Sequence, residues 1–198
     1  MILRRRDNPP NYAEFGRYKR LLREDFRYCC GYCRSHESTF GSVRNMTIDH
    51  FRPKSLFPRL ATEYSNLHYC CNECNTYKAD RWPTDAELAD DYRFIDACVD
   101  DPDDHYAFVD LEIKPRTRPG EFTVVTLRLD RPALLARRRA VAKRFSELVR
   151  LIERSDRVRA AASAAGTADA AFEEEFRAIR ADFADQLREL IFPAPLTA

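Results

Sequence analysis

Apolar positions along the chain fall into three kinds of pattern. From Asn11 to Arg27, Phe15, Leu22 and Phe26 recur at helical spacing behind Pro9-Pro10, which halts any earlier helix. An amphipathic helix is therefore predicted over 11–27. Residues 28–80 carry short apolar runs interrupted by polar pairs. Met46-Thr-Ile-Asp-His50 reads as one short strand, ended by Pro53, and Tyr64-Ser-Asn-Leu-His-Tyr69 as a second. Cys71-Asn-Glu-Cys-Asn-Thr-Tyr-Lys78 then opens a helix. Two further strands are predicted at 105–109 and 121–128, both rich in β-branched and aromatic residues, with Pro119-Gly120 as the turn between them. Asp100-Asp-Pro-Asp-Asp104 reads as a turn. From Pro132 onward the pattern is helical. Leu134, Val141, Phe145, Leu148 and Ile152 form one stripe, and Phe172, Phe176, Ile179, Phe183, Leu187 and Leu190 form another. An Ala-rich stretch broken by Gly166 separates them, as expected at the hinge of an α-hairpin. The expected fold class is α+β, with a small mixed core, an N-terminal helix and a C-terminal helical extension. The expected divisions are 1–82, an acidic connector with a short β-hairpin at 83–130, and 131–198.

Charge refines this picture. The 198 residues hold 33 Lys plus Arg against 32 Asp plus Glu, which excludes a generally basic nucleic-acid coat and leaves polyanion binding to local patches. Residues 131–160 hold ten basic and three acidic residues, and 161–190 three basic and seven acidic. The first helix could lie against phosphates, or the two oppositely charged helices could pair with each other and with solvent. No apolar run approaches the roughly 18 residues of a membrane span, and no apolar segment follows the N-terminal arginines, so a cytoplasmic protein is expected.

Seven cysteines in a reducing compartment do not suggest a disulfide framework. Their spacing is more telling. Cys30-Gly-Tyr-Cys33 and Cys71-Asn-Glu-Cys74 each place two thiolates at one knuckle, and four thiolates form a closed tetrahedral zinc site of the structural kind. The 37 residues between the pairs exceed a simple zinc ribbon, so something is folded between the knuckles. Cys29, Cys70 and Cys98 are left over, and Cys29 and Cys70, each just before a knuckle, are expected as small packed hydrophobes. His36, three residues beyond Cys33, is expected at the surface because four cysteines already complete a tetrahedron.

Between the knuckles the chain gathers a carboxylate (Asp49), an imidazole (His50), two carboxamides (Asn66 and Asn75) and an ammonium (Lys78). That set suits phosphodiester hydrolysis. Histidine can take a proton from water at neutral pH. Asp49 and Asn75 offer oxygen ligands to a hard cation such as Mg²⁺ or Mn²⁺. The cation and Lys78 can balance charge building on the phosphorane and the leaving oxygen. Arg52 and Lys54, flanking Pro53, either touch phosphates or are merely solvated. Trp82 is expected in the core.

The order Cys30-x2-Cys33, Asp49-His50 with Pro53, Asn66, then Cys71-x2-Cys74-Asn75-x2-Lys78 resembles the zinc-containing HNH endonucleases of the ββα-metal group, over roughly residues 28–80. The resemblance implies a ββα-metal core, His50 as general base, Asp49 and Asn75 as ligands of the catalytic cation, and Asn66 as the residue that holds the loop beside the base. It departs at Asn75, where the family name expects His. Residues 94–105, Pro119-Gly120 and residues 126–139 are similar to a set of bacterial HNH proteins that includes the nuclease subunit of Septu-like anti-phage systems. That similarity implies defence beside an ATPase partner. A nucleic-acid substrate is expected, DNA ahead of RNA, and the amphipathic C-terminal helices could dock the partner or pack on each other. A zinc scaffold that binds nucleic acid or protein without cutting is the rival reading.

Overall fold

Two successive left-handed residues, Arg27 and Tyr28, end the first helical segment and turn the chain into the knuckle that follows. The computed structural model describes residues 2–191, without the side chains of 188–191, so Leu190 of the predicted stripe and residues 192–198 of the predicted last division lie outside the description. Two compact units are present, the first ending at Leu135 and the second starting at Ala136.

In the first unit the predicted N-terminal helix is shorter than its apolar pattern. A 3-10 turn at Phe15–Tyr18 leads into α1, Lys19–Asp25. Leu22 and Phe26 are fully buried, and Arg6 fastens the segment through Asp25 at 2.8 Å. Strand β1, Met46–His50, pairs antiparallel with β2, Leu67–Cys71, in a register that sets Asp49 opposite His68. Helix α2, Asn72–Lys78, follows β2 directly, with Cys71 Sγ accepting from the Cys74 N–H at its start. The second strand begins later than its pattern predicts, because Tyr64–Asn66 forms a 3-10 turn. Helix α3, Asp85–Ala89, carries a capping box between Thr84 and Glu87.

The region after Ala97 corrects two expectations. Asp101 caps a short helix, α4 (Pro102–His105), where the acidic run predicted a plain turn. Residues 121–128 are not a strand. They belong largely to α5, Arg118–Thr126, and Pro119-Gly120 is the helix's first turn. Thr117 Oγ1 caps it by accepting from the Gly120 N–H at 3.2 Å. Proline suits a first helical position because its missing N–H would have no intrahelical partner there. The hairpin is formed instead by β3, Tyr106–Val109, and β4, Glu112–Pro115. Asp110 and Leu111 connect these strands with φ of 50° and 67°. This is the positive-φ geometry of a tight two-residue hairpin turn, here without the glycine that would announce it. Gly120 has no room for a side chain, since a Cβ there would lie 2.1 Å from the His105 carbonyl oxygen. Gly120→Ala is expected to lower stability by about 1–3 kcal/mol through overpacking, measurable as a reduced urea midpoint.

Helix α6, Pro132–Ala164, starts in the first unit and continues into the second, where α7, Ala170–Ile191, completes a helical hairpin. Gly166 takes φ 67° at the hinge, as the sequence predicts. The two helices are joined by Arg159–Glu173 at 3.0 Å and Arg180–Asp156 at 3.2 Å, so the opposite charges do pair within the hairpin. Among the described residues no helix is long and apolar enough to cross a membrane.

Candidate active site and zinc knuckles

The two Cys-x-x-Cys segments meet. The sulfur atoms of Cys30, Cys33, Cys71 and Cys74 lie within 4.8 Å of one another, and all four residues are buried. A tetrahedral zinc site with Zn–S near 2.3 Å requires S···S separations of about 3.8 Å, so the cluster fits that ion and the closed structural class. Hydrogen bonds from the neighbouring thiols, led by Cys30, hold the Cys33 thiol well below its usual range, while burial pushes the Cys30 thiol well above it. Arg131 adds a positive charge that the sequence pattern does not announce. Its guanidinium reaches Cys74 Sγ at 3.5 Å and Glu73 at 3.0 Å while remaining buried. Nothing local in the sequence marks it, since it lies 57 residues from Cys74. His36 takes no part in the cluster, and its Nδ1 accepts from the Ser38 N–H instead.

Beside the cluster, Asp49, His50 and Asn75 line one pocket, together with Phe15, Pro53, Lys54 and Asp80. Strand alternation would send Asp49 and His50 to opposite faces. Both reach the pocket because β1 ends at His50 and the chain turns there. The strand–loop–strand–helix order, the four-cysteine cluster and this convergence are the framework that the motif order implies. The family model for HNH endonuclease matches residues 30–81. This segment is an HNH domain. Septu protein PtuB of Bacillus mycoides (strain KBAB4) is 30% identical to the chain over 152 residues, covering 63% of this chain and 50% of that protein. The chain thus spans half the length of the curated relative it matches. No solved structure matches.

Within the HNH domain, His50 is held by its far nitrogen. Nε2 lies 2.9 Å from the carbonyl oxygen of Ala61. A carbonyl can only accept, so Nε2 carries a proton, and in the neutral imidazole the lone pair is on Nδ1. Phe15 packs edge-on against the imidazole, with ring centroids 4.7 Å apart. Asn66 is buried in the loop between the strands. Its amide donates to the carbonyls of Arg52 at 3.0 Å and Leu60 at 3.2 Å, and its oxygen accepts from the Arg52 N–H at 2.9 Å. These three bonds close the loop that supplies the Ala61 carbonyl. Asn66 therefore touches the imidazole only through that loop.

Lys78 corrects an expectation. Its side chain is wholly buried and its ammonium does not line the pocket. It donates to the His50 carbonyl at 2.8 Å and pairs with Asp49 at 3.0 Å. Its position at the end of α2 points it inward beneath β1, so its charge neutralises Asp49 rather than a phosphate. Breaking a buried ion pair from one side leaves an uncompensated charge. Lys78→Met is expected to cost about 3–5 kcal/mol of stability by that rule, read from urea unfolding of the full chain.

Tyr32 is a second residue that the motif order does not single out. Its hydroxyl donates to Asp49, and its position inside the first Cys pair was the available signal. His68 is also buried, bonded to Asp96 at 3.1 Å, and burial lowers its pKa from the usual histidine value. Trp82 packs among Phe51, Phe57 and Phe94, as expected of a core residue. The Arg52 guanidinium lies 5.6 Å from the Trp82 ring and the Lys54 ammonium 5.3 Å from that of Phe15.

Proposed function

We propose that the protein is a metal-dependent endonuclease that hydrolyses nucleic-acid phosphodiester bonds, DNA ahead of RNA, in bacterial anti-phage defence. The observation that carries the reading is the convergence of Asp49, His50 and Asn75 on one pocket, with His50 Nδ1 left as the basic atom. In this reading Nδ1 takes a proton from water as it attacks the phosphorus in line. The Ala61 carbonyl fixes the tautomer and favours the imidazolium that results. Asn66 keeps that carbonyl in place. Asp49 and Asn75 supply the oxygen donors that suit Mg²⁺ or Mn²⁺. A divalent cation bound there would contribute Lewis-acid charge to the phosphorane and to the leaving 3′ oxygen. The carboxylate has lone pairs beyond those engaged by Lys78 and Tyr32, so the donor set fits the ion.

The placement in defence rests on the likeness to a protein named for Septu, together with the resemblance of residues 94–105, 119–120 and 126–139. With it comes an ATPase partner, docked on the helical extension. The direct test incubates the zinc-loaded chain with labelled duplex DNA, single-stranded DNA and RNA, in Mn²⁺ or in EDTA. Cleavage of DNA that requires the cation is expected. DNA cleavage undiminished by EDTA would contradict the proposal.

A further inference from the structure

Two buried donors grip the Asp49 carboxylate, and they come from different parts of the HNH domain. Lys78, at the end of α2, reaches Oδ2 at 3.0 Å and Oδ1 at 3.3 Å. Tyr32 donates its hydroxyl to Oδ2. Tyr32 is only 2% exposed and lies inside the first zinc knuckle, two residues after Cys30 and one before Cys33. Its ring lies 5.3 Å from that of His68, the residue opposite Asp49 across the two strands. The knuckle packs closely on its surroundings. The Gly31 N–H donates to the Tyr69 carbonyl at 2.8 Å, and a Cβ on Gly31 would sit 2.6 Å from the Phe26 ring.

A carboxylate turns about its Cβ–Cγ bond, and its value as a cation ligand depends on which lone pairs face the ion. Lys78 and Tyr32 occupy the buried side and leave the remainder to the pocket. From this geometry we infer that Tyr32 is a positioning residue for the cation site, tying the orientation of Asp49 to the zinc knuckle. A side chain of the first knuckle then contributes to cation affinity. This rests on the reading of Asp49 as a cation ligand. Hydrogen-bonding partners of metal-ligating side chains typically contribute about 10–100-fold in metal affinity or activity.

The experiment is a Mn²⁺ titration of the full chain, followed by the EPR signal of free Mn²⁺, at equal zinc content for every variant. Parent protein, Asp49→Asn, Tyr32→Phe and Phe26→Leu are compared. Phe26→Leu disturbs the same core, since that ring also packs on His68, but it leaves the phenol–carboxylate bond intact. The parent is expected to bind Mn²⁺ and Asp49→Asn to lose it. Tyr32→Phe should bind about 10–100-fold more weakly, with Phe26→Leu matching the parent. Parent-like affinity in Tyr32→Phe, or equal weakening in Phe26→Leu, would overturn the role of Tyr32 while leaving Asp49 as ligand. Undiminished binding by Asp49→Asn, or none by the parent, would overturn both.

Discussion

Stripping zinc from the four-cysteine cluster, or replacing Cys71 by serine, is expected to unfold the first unit. The regular structure around the cluster is slight, comprising two five-residue strands and a seven-residue helix. Cys71 ends one strand and caps the helix. Zinc contributes on the order of 10 kcal/mol to folding in zinc-finger peptides, which is comparable with the whole stability of an ordinary domain. Without the ion, the four sulfur–metal bonds that join the two knuckles would be lost, and with them the zinc-bound thiolate beside Arg131. The lone tryptophan reports the outcome directly, because Trp82 sits among aromatic rings of the first unit. A red shift of its emission is expected on chelation, reversed by added zinc. Unchanged emission after complete removal would contradict the assignment of the cluster as a structural zinc site.

His50→Ala is expected to reduce cleavage by about 10²–10⁴-fold, the usual contribution of a positioned general base. The loss should appear in the rate at saturating substrate, because in the proposed mechanism the imidazole acts on water rather than on the nucleic acid. Zinc content and Trp82 emission should stay at parental values, since the imidazole contacts neither the cysteine cluster nor the tryptophan. Single-turnover rates on a labelled duplex measure the effect. Asn66→Ala should reproduce part of it, because the loop bearing the Ala61 carbonyl would no longer be tied to Arg52 and Leu60.

Much of this site was legible because its chemistry is carried by short local spacings. Each cysteine pair, the Asp49-His50 dipeptide and Asn75 just after the second pair are visible within a few residues, and the fold brings the four cysteines into one cluster and Asp49, His50 and Asn75 onto one pocket. What was not legible depends on distance along the chain or on buried direction. Arg131 comes to Cys74 from a remote segment. Lys78 has the right spacing to share a face with Asn75, yet its side chain runs inward, and only the packing beneath β1 decides that. Residues 121–128 show the limit of β propensity: Phe122 and Val124 are buried on a helix because Thr117 and Pro119 start one just before them. The true hairpin turn, Asp110-Leu111, carries no glycine and so gave no warning. The C-terminal hairpin was readable from its stripes and from Gly166.

If His50 activates a water molecule that attacks phosphorus and expels the 3′ oxygen, the new phosphate must carry an oxygen from solvent. Cleavage of a DNA duplex in ¹⁸O-labelled water, with mass analysis of the new ends, reads that oxygen. The expected products are 3′-hydroxyl and 5′-phosphate ends, with one ¹⁸O in each new phosphate, and their formation should collapse in His50→Ala. Unlabelled 5′-phosphate, 3′-phosphate ends, or equal yields from His50→Ala would contradict this mechanism.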